Sequence, residues 1–198
     1  IGKVGNDGLG DFVVQALGRY GMDCSGVVRD PTAGTSATMV MVHSDGERSF
    51  IHYIGANACL TEADVDYELI RHSKVLHVAG TFLMPGIDGE PTARVLKRAK
   101  EIGVTTALDT AWDSKDSWMK LLEPCLPHLD YFMPSIEEAR MCAGKHEPAD
   151  VAKVFIDKGV KTVALKMGDQ GCYIRSRDVE LSIPIYQVDA IDASGAGD

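Results

Sequence analysis

The last seven residues of the chain, Asp192-Ala193-Ser194-Gly195-Ala196-Gly197-Asp198, have the types and spacing that chemistry on an anion requires. Gly195 and Gly197 flank Ala196, so the backbone there can turn sharply and lie bare. Successive bare N–H groups form a concave anion site, stronger where a helix begins. A carboxylate directly after such a nest would be repelled by the anion unless its task is to take a proton from a nucleophile attacking it. That is the logic of phosphoryl transfer, in which catalysis is mostly positioning and charge stabilisation. Asp198 is then the general base, and the amides of Gly195, Ala196 and Gly197 hold the transferring oxygens. The same residues also describe a plain surface turn ending in Asp.

Three further stretches carry polar groups that suit a ligand. In Lys166-Met167-Gly168-Asp169-Gln170-Gly171, Gly168 and Gly171 would let backbone approach a nucleotide, and Lys166 would meet phosphate as a point charge. The other reading is a β-turn with a solvated lysine. Ser135-x-x-Glu138 after an apolar run is a capping box and needs no ligand. In Gly55-Ala56-Asn57, Asn57 can donate and accept as sugar hydroxyls require, or it closes a turn before Thr61.

The elements that must position these groups alternate. A helix is expected over 7–20, with Phe12, Val13, Ala16 and Leu17 on one face. Thr35–His43 and Arg48–Ile54 read as strands joined at Ser44-Asp45-Gly46-Glu47, an antiparallel hairpin with no helix between. From Thr61 the pattern becomes helix 61–72, strand 75–78, helix 91–102, strand 104–108, helix 117–126, strand 131–133, helices 135–143 and 149–158, and strand 161–165. A strand-like run covers 183–191. Strands separated by helices imply parallel pairing, and Gly80, Asp109, Ser135, Lys166 and Asp198 all fall at or just past carboxyl ends of strands, where open sheets bind ligands. His77 falls in an apolar strand and reads as a core histidine; Trp112 and Trp118 read as packing residues.

Composition narrows the classes. A net charge of −9, from 29 acidic and 20 basic residues, argues against nucleic acid or a membrane surface as partner. No apolar run is long enough to span a bilayer and no signal peptide is visible. The five cysteines are far apart and lack CxxC spacing, as expected of reduced thiols in a cytoplasmic protein. The six histidines show no metal-ligand spacing. A dinucleotide site would need a GxGxxG between strand and helix, which the early glycines do not supply.

Taken together in order, Gly2-Lys3-Val4-Gly5-Asn6-Asp7-Gly8-Leu9-Gly10, Gly55-Ala56-Asn57, Lys166-x-Gly168-x-x-Gly171 and Asp-x-x-Gly-Ala-Gly-Asp make the whole chain resemble the ribokinase/PfkB carbohydrate kinases, with Ala193 where that signature usually has Thr. The resemblance implies a single ribokinase-like α/β domain over 1–198, with residues 27–57 contributing a small β lid over the sugar and a homodimer contact. It implies ATP-dependent phosphorylation of a sugar hydroxyl with Mg2+. Asp198 would be the base, Ala56 and Asn57 would border the sugar, and Lys166, Gly168, Gly171 and Ser135 would line the nucleotide. Glu138 would be linked to Mg2+, with Ser135 standing where Asn is usual. Asp192 and Ser194 match positions that hold a monovalent cation such as K+ in some members. By the same resemblance the chain reads as an internal piece of a longer kinase, inactive by itself. A nucleoside kinase of the same family, or a silent sugar- or nucleotide-binding relative, are the alternatives; an oxidoreductase is the distant one.

Overall fold

The computed structural model describes residues 1–43, 48–188 and 195. It divides into two compact units, Ile1–Leu69 with Leu83–Ile87, and Ile70–Phe82 with Asp88–Asp198.

In the first unit, β1 (Gly2–Gly5) pairs in parallel with β2 (Val27–Asp30) around helix α1 (Gly8–Arg19). Asp7 starts that helix by accepting the Gly10 amide at 2.8 Å, and also takes the Thr35 amide and hydroxyl. These hydrogen bonds, the Thr35 hydroxyl's first, hold the Asp7 carboxyl down at about 2. Val13, Ala16 and Leu17 are half-buried, whereas Phe12 is exposed. The expected hairpin is present as β3 (Ala37–Val42) and β4 (Arg48–Tyr53), in the register Met39↔Ile51 and Val40↔Phe50. Val27–Asp30 pairs with β1 instead, so the antiparallel element is β3–β4 alone. The Asp45-Gly46 turn that joins them lies outside the described residues. The helix expected over 61–72 is broken. Thr61 and Asp64 close a 3-10 turn, Lys3 pairs with Asp64 at 2.9 Å, and α2 is only Tyr67–Arg71. Asp66 accepts the Glu68 and Leu69 amides and so restarts the helix.

The second unit is a six-stranded sheet in the order β10-β9-β8-β7-β6-β5. The strands β5 (Val75–Thr81), β6 (Thr105–Thr110), β7 (Tyr131–Phe132) and β8 (Thr162–Lys166) run parallel. Antiparallel β9 (Cys172–Ser176) and β10 (Glu180–Ile183) extend the sheet beyond β8. The strand-like run 183–191 is not a strand as far as it is described: β10 stops at Ile183, because Pro184 has no N–H to continue the ladder, and residues 184–188 have no regular structure. Helices α3 (Glu90–Glu101), α4 (Met119–Leu122), α5 (Ile136–Ala143) and α6 (Pro148–Asp157) complete the unit. The helix expected over 117–126 shrinks to α4. Asp113 holds the Ser117 and Trp118 amides before it, and Pro124 and Pro127 make Glu123–His128 a 3-10 segment. The core joins Leu96, Leu108, Leu126, Phe132, Phe155 and Leu165, with Phe132 and Phe155 edge to face at 4.8 Å. At roughly 1.5–3 kcal/mol per buried side chain, this core is the main favourable term for the unit. Among the described strands β5 is the last on its side, and its alternate residues are exposed. His77 is therefore a surface residue and not the expected core histidine.

Candidate active site at the carboxyl edge of the sheet

Three of the parallel strands, β6, β7 and β8, bring the expected polar groups to one edge. Lys166 is the last residue of β8, and its Nζ lies 2.5 Å from Oδ2 of Asp109, near the end of β6. The Asp109 side chain is 14% exposed and that of Lys166 30%, so the pair is only partly screened by water. Asp109 Oδ1 accepts the Thr110 amide at 2.8 Å. Thr110 Oγ1 donates to Glu138 Oε2 at 2.8 Å, and the Ser135 amide donates to the same oxygen at 3.3 Å. Ser135 Oγ in return accepts the Glu138 amide, which completes the capping box of α5. Ser135 and Lys166 form a parallel β-bridge, with the Lys166 amide on the Pro134 carbonyl at 3.0 Å. Lys166, Asp109, Thr110, Glu138 and Ser135 are thus one network of a cation, two carboxylates and two hydroxyls.

Thr110 and its bond to Glu138 were not evident in the sequence. The only sign was its place at a strand end beside Asp109. At the end of β5, Thr81 is buried and its hydroxyl has no hydrogen-bond partner among the described residues. Leaving such a group unpaired costs about 1–3 kcal/mol.

The turn after Lys166 is a tight hairpin connection. The Met167 amide donates to the Gly171 carbonyl at 2.8 Å around a 3-10 turn at Gly168–Gln170. Gly168 (φ 58°) has open space where a Cβ would stand, so backbone can be approached there. Gly171 (φ 89°) has a different cause: a Cβ would sit 2.0 Å from the Ile183 carbonyl of β10. In the first unit, Gly55–Cys59 form a 3-10 turn. Ala56 is wholly buried with its amide on the Gly34 carbonyl, which leaves half-buried Asn57 as the member of that pair with exposed surface. Of the final motif only Gly195 is described, an exposed turn residue at φ 76°. Asp192, Ser194, Ala196, Gly197 and Asp198 lie outside the described residues.

Other reactive groups are placed for structure. Burial pushes the thiols of Cys125 and Cys142 up to about 12, so neither is a thiolate near neutral pH. At the opposite, amino edge an opening of about 390 Å3 is lined by Lys100, Asp130, Tyr131 and Lys161. Both lysines pair with Asp130 Oδ1, while Oδ2 takes the Thr106 amide and hydroxyl. Burial works against ionisation of Asp130, but Lys161, the Thr106 amide and Lys100 outweigh it and hold the carboxyl at about 2. That carboxylate ties β6 to β7 and lies at the wrong end of the strands for the expected chemistry.

Comparison with known proteins gives the family. The pfkB family carbohydrate kinase profile matches residues 1–198. The chain is 30% identical to fructokinase-1 of Oryza sativa subsp. japonica over 206 residues, covering 100% of this chain and 64% of that protein. It is 28% identical to the ribokinase of Staphylococcus aureus (strain COL), again over 100% and 64%. Among solved structures, an E. coli chain assigned as ribokinase II and bound to ATP and Mg2+ superposes with a TM-score of 0.82 at 26% identity, over 100% of this chain and 65% of that one. The chain therefore spans less than two thirds of the length of these relatives. With the match running over every residue and a ribokinase-like fold beneath it, the chain belongs to the pfkB family of carbohydrate kinases.

Proposed function

We propose that the protein phosphorylates a hydroxyl of a sugar with ATP. The observation that carries this reading is the polar network of Lys166, Asp109, Thr110, Glu138 and Ser135 at the carboxyl edge of the parallel strands, in a chain whose last residues are Gly-Ala-Gly-Asp. The likeness to a fructokinase and a ribokinase favours a sugar over a nucleoside as acceptor.

Asp198 takes the proton of the attacking hydroxyl, a contribution of roughly 10²–10⁴-fold. The amides of Gly195, Ala196 and Gly197 hold the phosphoryl oxygens as charge moves onto the leaving side. Lys166 exchanges its contact with Asp109 for a phosphate oxygen, and Gly168 leaves the neighbouring backbone open to the nucleotide. Asn57 hydrogen-bonds the sugar. Bound Mg2+-ATP supplies the phosphoryl group and neutralises its charge. The side chains fit that ion: Glu138 brings one carboxylate to this edge, and Mg2+ is commonly held by phosphates and water with one or two carboxylates. Glu138, whose carboxylate accepts from the Thr110 hydroxyl and the Ser135 amide, would orient that water. Asp192 and Ser194 would hold a monovalent cation such as K+, which activity measured with and without K+ checks.

The β3–β4 hairpin is assigned to the homodimer contact and lid. Met39 and Ile51 project from one face and Val40 and Phe50 from the other, and all four are exposed. Two strands alone bury too little to be stable, so both faces call for cover. Sedimentation of the intact protein checks this: a dimer is expected, and a monomer contradicts it. The free cysteines suit a reducing compartment, the cytoplasm, and no described helix is long and apolar enough to cross a membrane. The decisive screen is ADP release by the intact protein across sugars, sugar acids, sugar phosphates and nucleosides; release with nucleosides only would replace the sugar reading.

A further inference from the structure

An aromatic stack stands at the β5–β6 end of the same carboxyl edge, and it is built in an unusual way. Trp112, two residues past β6, is 56% exposed. Its ring meets Trp118 edge to face at 5.0 Å, and buried Trp118 meets Phe82, the residue after β5, edge to face at 5.7 Å. Among the described residues, the non-glycine positions with left-handed backbone are Phe82 (φ 84°), Asp116 (φ 56°) and Trp118 (φ 37°), and all three belong to this assembly. Such conformations persist only where the surroundings over-determine them. Here carboxylates do so. Asp88 accepts the Phe82 amide at 3.1 Å. Asp113 accepts the amides of Lys115, Ser117 and Trp118, and Asp116 accepts the Trp118 indole N–H. Phe82 and Trp118 bury their rings in return for this strain, as core residues do. Trp112 leaves more than half of its surface in water while being braced from behind.

We propose that Trp112 is the stacking surface for the acceptor sugar and a specificity-determining residue of the reaction. The proposal rests on the kinase reading above. The order of strands assigns the ligand. Lys166 and the turn after it put the nucleotide contact at β8–β9, whereas Trp112 and Phe82 stand at β6 and β5, on the far side of β7. The Lys166 ammonium reaches across β7 to Asp109 on β6, so a group bound over Trp112 lies beyond the phosphate end of the nucleotide, which is the acceptor's place. A sugar presents an apolar face of ring C–H groups beside its hydroxyls, and an exposed indole offers a broad, polarisable surface to such a face. Acceptors with an open apolar ring face are then preferred over linear polyols.

The test uses the intact protein and its best acceptor. Trp112→Leu raises KM for the sugar by about tenfold, the scale of one lost good contact, while kcat and the KM for ATP stay within about twofold. Trp112→Phe recovers most of the sugar affinity. Of the two tryptophans in this sequence Trp112 is the exposed one, so sugar titration should change intrinsic fluorescence more in the wild type than in Trp112→Leu. Unchanged sugar KM in Trp112→Leu, or a loss confined to the ATP KM, overturns the proposal and leaves the kinase reading intact. No ADP release from the wild type with any sugar overturns the kinase reading and this proposal with it.

Discussion

Lys166 is proposed to have two jobs, one structural and one toward the nucleotide, and a pair of substitutions separates them. In Lys166→Met the Asp109 carboxylate loses a partner at 2.5 Å while remaining 14% exposed. Removing one member of a fully buried pair costs about 3–5 kcal/mol; with Lys166 30% exposed, water offsets part of this, and about 2 kcal/mol is expected. In urea, at a slope of about 2 kcal/mol/M, the unfolding midpoint should fall by about 1 M. Adding Asp109→Asn removes the uncompensated charge and should restore most of that loss. The nucleotide job responds differently. A lost charge-assisted contact to phosphate is worth about 1.5–3 kcal/mol, so the ATP KM should rise at least about tenfold in Lys166→Met. It should stay raised in the double variant, because no cation has returned. Denaturation and initial-rate kinetics on the wild type, both single variants and the double variant read both quantities. A double variant with wild-type ATP KM would refute the reasoning, leaving Lys166 as a structural partner of Asp109 only.

The rest of the network and the opposite edge give two other outcomes. Ser135→Ala should lower stability by about 1 kcal/mol through loss of the cap without altering the Mg2+ requirement, whereas Glu138→Gln should raise the Mg2+ concentration needed for half-maximal rate. Equal Mg2+ curves for Glu138→Gln and wild type would confine Glu138 to capping. Asp130 has its folded pKa depressed to about 2 from 3.8, so its contribution is present above pH 3.8 and is lost as pH falls towards 2. Asp130→Asn should be less stable at neutral pH, and its acid-unfolding curve should be flatter between 3.8 and about 2; an unchanged slope there would contradict that assignment.

Much of this edge was legible because the alternation of strands and helices fixes which chain positions reach a strand's carboxyl end. Asp109, Ser135 and Lys166 are where that rule puts them. The helices at 61–72 and 117–126 were not legible. Their apolar spacing suits a helix, but Lys3 draws on Asp64 from across the first unit and Asp113 captures the Trp118 amide, contacts that periodicity cannot show. Gly171 could be read as opening backbone to a ligand, yet its crowding comes from the Ile183 carbonyl on a neighbouring strand. Likewise nothing local to Trp112 announces that Trp118 and Phe82 will brace it, because Phe82 joins the stack from a different strand end.

The central claim is that Asp198 takes the proton of a sugar hydroxyl as the phosphoryl group moves. Its direct test is the steady-state ADP-release rate of Asp198→Asn in the intact protein, beside the sugar's dissociation constant. Asparagine keeps the size but accepts no proton, so kcat should fall by roughly 10²–10⁴ with sugar binding little changed. Turnover near that of the wild type would contradict the account, leaving the Gly-Ala-Gly segment as a phosphate site whose proton acceptor lies elsewhere.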